Sequence, residues 1–296
     1  MTEPCTENIC AVIVTFNPDR QFRDRLATIM AQTASVVIID NSANGEPDYC
    51  DADRTASCHI IRNRANAGVA TALNQGFQWA LARGFAWVIT FDQDTWADSS
   101  LVRTYREIFN GIGDRERIGM IGANFLDARG RLLKNGPAGG AASYAETDYL
   151  ITSGTLMPLA LYRDVGPFRD DYFIDYVDIE YCLRLRARGY AIFISTAPLI
   201  THSIGSGSEH SLLGLRPAGT TNHPAARRYY MVRNLVVMAR EYLPTFPASV
   251  LRLLLAQFKH VVTMLCFEQG RLHKLGAVLR GVRDGITGRL GSRSAP

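Results

Sequence analysis

The run Phe85-Ala86-Trp87-Val88-Ile89-Thr90-Phe91 limits the choice of fold more than any other stretch of this chain. It is uncharged and rich in β-branched and aromatic residues, so it reads as a buried strand, and it stops at Asp92-Gln93-Asp94. Side chains alternate along extended chain, which puts Asp92 and Asp94 on one side and Gln93 on the other. In open α/β sheets ligands gather outside the carboxyl ends of the strands. Two hard oxygen ligands there suit a divalent cation, Mg²⁺ or Mn²⁺, that also holds substrate phosphates. A solvated turn, or a helix N-cap ahead of Ser99 and Leu101, accounts for the same acids.

Three more apolar runs precede it. Residues 9–16 form a compact run broken by Asn17-Pro18, and residues 19–30 carry Phe22, Leu26, Ile29 and Met30 at helical spacing. Residues 35–39 predict a second buried strand closed by Asp40-Asn41-Ser42. There Asp40 can accept from a nucleotide's ribose or base edge, or form an Asx-turn before Asn44-Gly45. Residues 59–62 predict a third strand, followed by a helix burying Ala70, Leu73, Phe77 and Ala80. Asn66 is its natural N-cap, and Gly68 admits a ligand close to the first turn. A helix start beside Arg62 and Arg64 suits a diphosphate. Strands alternating with helices predict an α/β protein with a mostly parallel, Rossmann-like sheet. The chain lacks Gly-x-Gly-x-x-Gly and Gly-x-x-x-x-Gly-Lys, which counts against a dinucleotide oxidoreductase or a P-loop enzyme.

Beyond Asp94, residues 99–109 predict a helix, 118–125 a strand, and Asp127-Ala128-Arg129-Gly130 a hairpin-type turn. The Gly/Ala-rich residues 136–142 suit a loop. Residues 149–157 read as extended chain carrying Ser153-Gly154, and Val165-Gly166-Pro167-Phe168 as a turn. A second acidic cluster, Phe173-Ile174-Asp175-Tyr176-Val177-Asp178-Ile179-Glu180, opens a helix that ends at Gly189. Its acids complement the helix dipole, yet three acids among aromatics are an expensive first turn unless a cation or a substrate hydroxyl meets them. Residues 190–195 predict a strand, after which His202 precedes a Gly/Ser loop and can serve as a structural histidine or a metal ligand.

The 296 residues are 47% hydrophobic and 20% charged, as in an ordinary globular protein. Six scattered cysteines without metal-ligand spacing, and a polar N-terminus carrying Glu3 and Glu7, lead us to expect reduced thiols and a cytoplasmic setting. The overall charge of +4 is uneven. From Arg227 onward twelve Lys and Arg face three acids, a net of +9, which leaves −5 in the first 226 residues. We therefore expect a catalytic domain over residues 1–226 and a basic, amphipathic helical region over 227–296. That region predicts two or three helices with an apolar stripe through Val250, Leu254, Phe258 and Val261, and no run of about 18 uncharged apolar residues. Such a stripe fits the inner face of the cell membrane or a homo-oligomer interface equally.

As a set these segments resemble the inverting family 2 glycosyltransferases of the GT-A fold, and within them the bacterial rhamnosyltransferases. The likeness lies in Val14-Thr15-Phe16-Asn17-Pro18, Ile39-Asp40-Asn41, Asn66-x-Gly68 with Asn74-x-Gly76, Phe91-Asp92-Gln93-Asp94 and Ser153-Gly154. It continues through residues 173–180, His202-x-x-Gly205 and Tyr229-Tyr230-x-x-Arg233-Asn234. The resemblance implies a GT-A sheet with a C-terminal helical extension, dTDP-L-rhamnose as donor, and a glycan or polyprenol-linked glycan as acceptor. No nucleic-acid partner is expected. It implies that Thr15, Phe16, Asn17, Asp40, Asn66, Gly68, Asn74, Asp92, Gln93 and Arg233 bind the nucleotide sugar. Asp92, Asp94 and His202 would hold Mg²⁺ or Mn²⁺. Alignment on Cys182-Leu183-Arg184 makes Asp178 the catalytic base, with Asp175 as competitor because Val177 stands where the family often has Glu. UDP-galactofuranose is the nearest other donor. A sugar-nucleotide pyrophosphorylase would need a Gly-rich basic loop where Asn17-Pro18-Asp19 stands, and a non-catalytic membrane-associated sugar-nucleotide binder is the remaining rival.

Overall fold

The computed structural model describes residues 1–43, 57–126, 132, 143–201, 208–210, 218–220 and 222–292. In chain order the elements begin with β1 (Ile9–Thr15), α1 (Phe22–Met30), β2 (Ser35–Asp40), β3 (Cys58–Arg62), α2 (Val69–Ala82), β4 (Trp87–Asp92) and β5 (Trp96–Ala97). They continue with α3 (Leu101–Gly111), β6 (Ile118–Leu126), β7 (Tyr144–Glu146), β8 (Thr155–Pro158), α4 (Leu159–Val165), α5 (Val177–Ala187) and β9 (Ala191–Thr201). The hairpin strands β10 (Ser208–His210) and β11 (Ala218–Thr220) follow, then α6 (Ala225–Tyr242), α7 (Pro247–Phe267) and α8 (Arg271–Thr287). They fall into two compact units, Met1–Arg169 with Tyr181–Ser203 and Asp170–Glu180 with Ile204–Pro296.

The first unit is built on a nine-stranded sheet of order β3-β2-β1-β4-β8-β6-β9-β5, with β7 paired to β9. The strands β3, β2, β1 and β4 run parallel, β8 is antiparallel between β4 and β6, and β6 pairs β9 in parallel. This is the mostly parallel α/β sheet expected, and α6 to α8 form the C-terminal helical extension. Helices cover both faces of such a sheet, which explains why β1 and β2 are continuous apolar runs. On α2 the packing is close enough that a Cβ at Gly76 would lie 2.3 Å from Val12 Cγ1, so only glycine fits there.

Several boundaries differ from the sequence reading. The predicted helix 19–30 begins at Phe22, because Asp19 closes a turn, accepting from Gln21 and Phe22, before the helix starts. The N-cap of α2 is Gly68 at φ 88°, not Asn66, whose Oδ1 accepts from the Gly68 N–H in the preceding turn. The extended segment 149–157 shortens to β8, and α4, β5 and β7 are too short to leave a periodic signal. The Asp127–Gly130 turn, the Gly/Ala loop 136–142, Asn44-Gly45 and His202 lie outside the described residues.

In the second unit α6 packs along α8. A Cβ at Gly281 would meet the Tyr229 carbonyl at 2.6 Å and one at Gly285 the Arg233 carbonyl at 2.8 Å, so two glycines one turn apart set the approach. At the other end of α8 a buried ion cluster joins the helices. Glu268 takes Arg228 Nη2 at 2.5 Å and Lys274 Nζ at 2.7 Å, and Lys274 also donates to Asn222 Oδ1. Burial alone would push the Glu268 carboxyl up, but Lys274 and Arg228 outweigh it and hold it below the usual value. By length and composition α7, 21 residues with Arg252 and Lys259 as its charges, is apolar enough to cross a membrane, and those two charges are what break the uncharged run in the sequence.

Candidate active site

The sheet order places a crevice at one point. The strand β1 has β2 on one side and β4 on the other, and after β3 the chain crosses between these two sides. Ligands of open α/β sheets bind outside the strand ends at such a switch point. The register aligns Thr15 with Asp40 and Val14 with Asp92, so the three strands end together.

The side chains at these ends are already tied into one frame. Asp40, 2% exposed, accepts at Oδ1 from Thr15 Oγ1 at 3.1 Å and from the Ser42 backbone and hydroxyl at 3.1 and 2.6 Å. Among the described residues all these bonds fall on Oδ1. Ser42 Oγ in turn accepts from the N–H of Asn17, which sits at φ 47°. Across the switch point the Gln93 carboxamide grips the backbone of Phe16, accepting from its N–H at 2.7 Å and donating to its carbonyl at 3.2 Å. This makes Gln93 a brace between β1 and β4. The Phe16 ring, 47% exposed, offers an aromatic face on which a base can stack.

Arg25 supports the same frame from beneath. Its buried guanidinium donates from Nε to the Gln93 carbonyl at 2.9 Å and pairs with Asp19, fixing the turn between Asp92 and Asp94. The sequence reading missed it, since an arginine on a helix looks like solvated surface. Ser153 Oγ lies 2.5 Å from Thr95 Oγ1 and accepts weakly from the Asp92 N–H at 3.4 Å. Beside β2, the Asn41 carboxamide donates to the Gly68 carbonyl at 3.1 Å, linking Asp40's neighbour to the start of α2. Asn74 is a packing residue here. Its amide holds the Phe168 backbone by both N–H and carbonyl at 2.9 Å and accepts from Tyr162 Oη.

Among the described residues no group of three His, Cys, Asp or Glu is gathered as a complete protein cage for a metal. Asp92 and Asp94 nonetheless fit Mg²⁺ or Mn²⁺, which keep much of their shell for water and phosphate oxygens and take one or two carboxylates.

The second acidic cluster belongs to the second unit and is held in an unusual backbone. Phe173, Asp175 and Tyr176 have φ of 64°, 63° and 63°, left-handed values that cost each non-glycine residue about 1–3 kcal/mol. The Asn234 carboxamide imposes them, donating to the carbonyls of Tyr172, Ile174 and Asp175 at 3.0, 2.8 and 2.9 Å. Arg233 adds bonds to the carbonyls of Asp171, Tyr172 and Gly291 and to Asn234 Oδ1. Fully buried and committed to these acceptors, Arg233 is a positioning residue, which corrects its expected contact with the nucleotide sugar.

The two candidate bases differ in their surroundings. Asp175 is paired bidentately with Arg227, which the sequence reading placed only at the start of the basic region. Burial pushes its carboxyl up, against the pull of the Arg227 charge. Asp178, half-buried in the first turn of α5, accepts from the Ile179 N–H at 2.8 Å. Glu180 points elsewhere, buried and accepting from Tyr242 Oη at 2.8 Å.

Comparison with known proteins agrees with this geometry. Residues 10–110 match the model of glycosyl transferase family 2. A Shigella flexneri protein named dTDP-rhamnosyl transferase RfbF is 28% identical over 298 residues, covering 95% of this chain and 96% of its own. Among solved structures, S. aureus TarS superposes with a TM-score of 0.62 at 12% identity, over 95% of this chain and 49% of TarS, so this chain spans about half of that protein. A crystal structure of GalNAc-T7 with UDP, GalNAc and Mn²⁺ gives 0.61 at 11% identity, over 96% of this chain and 56% of that one. TarS residues 1–349 in complex with UDP-GlcNAc give 0.61 at 13% identity, over 95% and 81%.

Proposed function

We propose that the chain, whose residues 10–110 match glycosyl transferase family 2, transfers a sugar from a nucleotide sugar and is an inverting rhamnosyltransferase. Its donor is dTDP-L-rhamnose, and its acceptor is a hydroxyl of a glycan or polyprenol-linked glycan used in cell-surface polysaccharide synthesis. The observation that carries this reading is the frame at the switch point, where Asp40 and the Asp92-Gln93-Asp94 turn end the two parallel strands that flank β1. The likeness to RfbF along nearly the whole chain supports rhamnose as the sugar.

In this reading Asp40 accepts from the ribose or base, Phe16 stacks on the base, and Asn17, Asn66 and Gly68 line the nucleotide. The Mg²⁺ or Mn²⁺ held by Asp92 and Asp94, with His202 as a further ligand, would supply positive charge against the leaving diphosphate. Asp178 takes the proton of the acceptor hydroxyl. The oxygen forms its bond to the anomeric carbon as the bond from that carbon to the phosphate oxygen breaks, and dTDP leaves with the electron pair. A single base and no covalent intermediate mean attack from the face opposite the leaving group, hence inversion.

The test is a transfer assay with dTDP-L-rhamnose and a lipid-linked glycan fraction. Acceptor-dependent release of dTDP, with rhamnose recovered in the glycan, supports the reading. Release with UDP-galactofuranose and none with dTDP-L-rhamnose would replace the donor.

A further inference from the structure

The outer surface of the C-terminal helices combines two properties that rarely occur together without a partner. On α7 Leu251, Leu255, Phe258 and Val262, between 41% and 68% exposed, follow spacings of four, three and four and so form one stripe. On α8 Leu272, Leu279 and Ile286, 59–80% exposed, recur every seven residues. Between the stripes, half-buried Val261 and Leu265 of α7 and Val282 of α8 pack on one cluster around Met264 and Val278, so the stripes border a common seam.

The charge of this region is one-sided. From Leu243 to Ser292 the acids are Glu268 and Asp284, and both are buried. Glu268 is taken up by Arg228 and Lys274, and Asp284 by Tyr229 and Arg283. Arg252, Lys259, Arg271, Arg280, Arg283 and Arg289 are exposed. A second copy laid on this face would set cations against cations with no acid to answer them. An anionic headgroup layer answers them, and the acyl boundary beneath it takes the Leu, Ile and Phe side chains.

We infer that α7 and α8 seat this face on an anionic lipid bilayer, lying in its interfacial plane. The alternative of spanning is disfavoured for α7, because Ser249, Leu253, Gln257 and Met264 are buried within its own unit and Arg252 and Lys259 edge the stripe. This goes beyond the proposed function and stands apart from the identity of the donor.

The experiment is flotation of the full chain with vesicles of phosphatidylethanolamine and phosphatidylglycerol, against phosphatidylcholine alone, at low and high salt. Binding is expected to the anionic vesicles, weakening with salt, and falling about fivefold for each cation removed in Arg252→Gln/Lys259→Gln. Leu255→Ser/Phe258→Ser, at exposed positions, is expected to weaken it about tenfold or more with an unchanged thermal melt. Absence of binding to anionic vesicles, or binding that neither variant alters, overturns the inference. So does a concentration-dependent dimer in sedimentation equilibrium that the Leu255/Phe258 variant dissolves, since a second copy then covers the face.

Discussion

The Arg227 guanidinium lies against the Asp175 carboxylate, with Nη2 2.9 Å and Nε 3.2 Å from Oδ1. Burial raises the proton affinity of this carboxyl, but its oxygens are engaged by guanidinium N–H groups that an acceptor hydroxyl would have to displace to reach it. The competition between Asp175 and Asp178 therefore tilts toward Asp178. We expect Asp178→Asn to reduce transfer by about 10²–10⁴-fold while donor affinity stays within about twofold. Asp175→Asn should reduce it less. Single-turnover transfer rates with separately measured donor affinities decide the matter, and the reverse order would transfer the role of base to Asp175.

Asn234 offers a second test. Its side chain donates to three carbonyls of a loop in which Phe173, Asp175 and Tyr176 are left-handed. With Asn234→Ala these carbonyls lose their donors, and the loop is free to relax. We expect a loss of about 2–3 kcal/mol in stability and a fall in kcat with donor affinity retained. If kcat is unchanged in the folded variant, the loop geometry has no part in turnover.

Glu268 anchors Arg228 and Lys274 in a buried site. Truncation leaves two cations without their carboxylate, so Glu268→Ala should cost about 3–5 kcal/mol, read from urea denaturation. A loss under about 1 kcal/mol would mean that the cluster is well solvated.

His223 makes the stability depend on pH. Burial, followed by the Arg227 and Arg228 charges, pushes its imidazole from 6.5 down to about 4. A group lowered on folding binds its proton more readily in the unfolded chain. Its contribution is complete above pH 6.5 and is lost as the pH falls through 4. The loss should be on the order of 1 kcal/mol at this partly exposed ring, and His223→Gln should flatten the stability profile between those values. An unchanged profile would refute the assignment.

These residues also mark how far the sequence alone could be read. Asp40, Asp92 and Asp94 were legible because each follows an uninterrupted apolar run, and strand-end acids stand out against such runs. The parallel sheet was legible for the same reason. Arg25 and Arg227 were not, since their partners lie 68 and 52 positions away and helical arginines resemble solvated surface. Asn74 and Arg233 were read as ligand contacts because polar residues near strand ends invite that reading, whereas both are consumed by internal carbonyls and amides. The left-handed turn at Phe173, Asp175 and Tyr176 gives no warning, because neither glycine nor asparagine occupies it.

The central claim, a nucleotide-sugar site that takes dTDP-L-rhamnose, is tested most directly by calorimetric titration of the donor. The chain should be titrated with dTDP-L-rhamnose, UDP-sugars and GDP-sugars, each with and without Mg²⁺ or Mn²⁺, alongside thermal melts that register ligands binding the folded state. The account predicts binding and a raised melting temperature with dTDP-L-rhamnose, strengthened by the cation and weakened in Asp94→Ala. Preference for another nucleotide sugar, or no response to dTDP-L-rhamnose under any of these conditions, would contradict it.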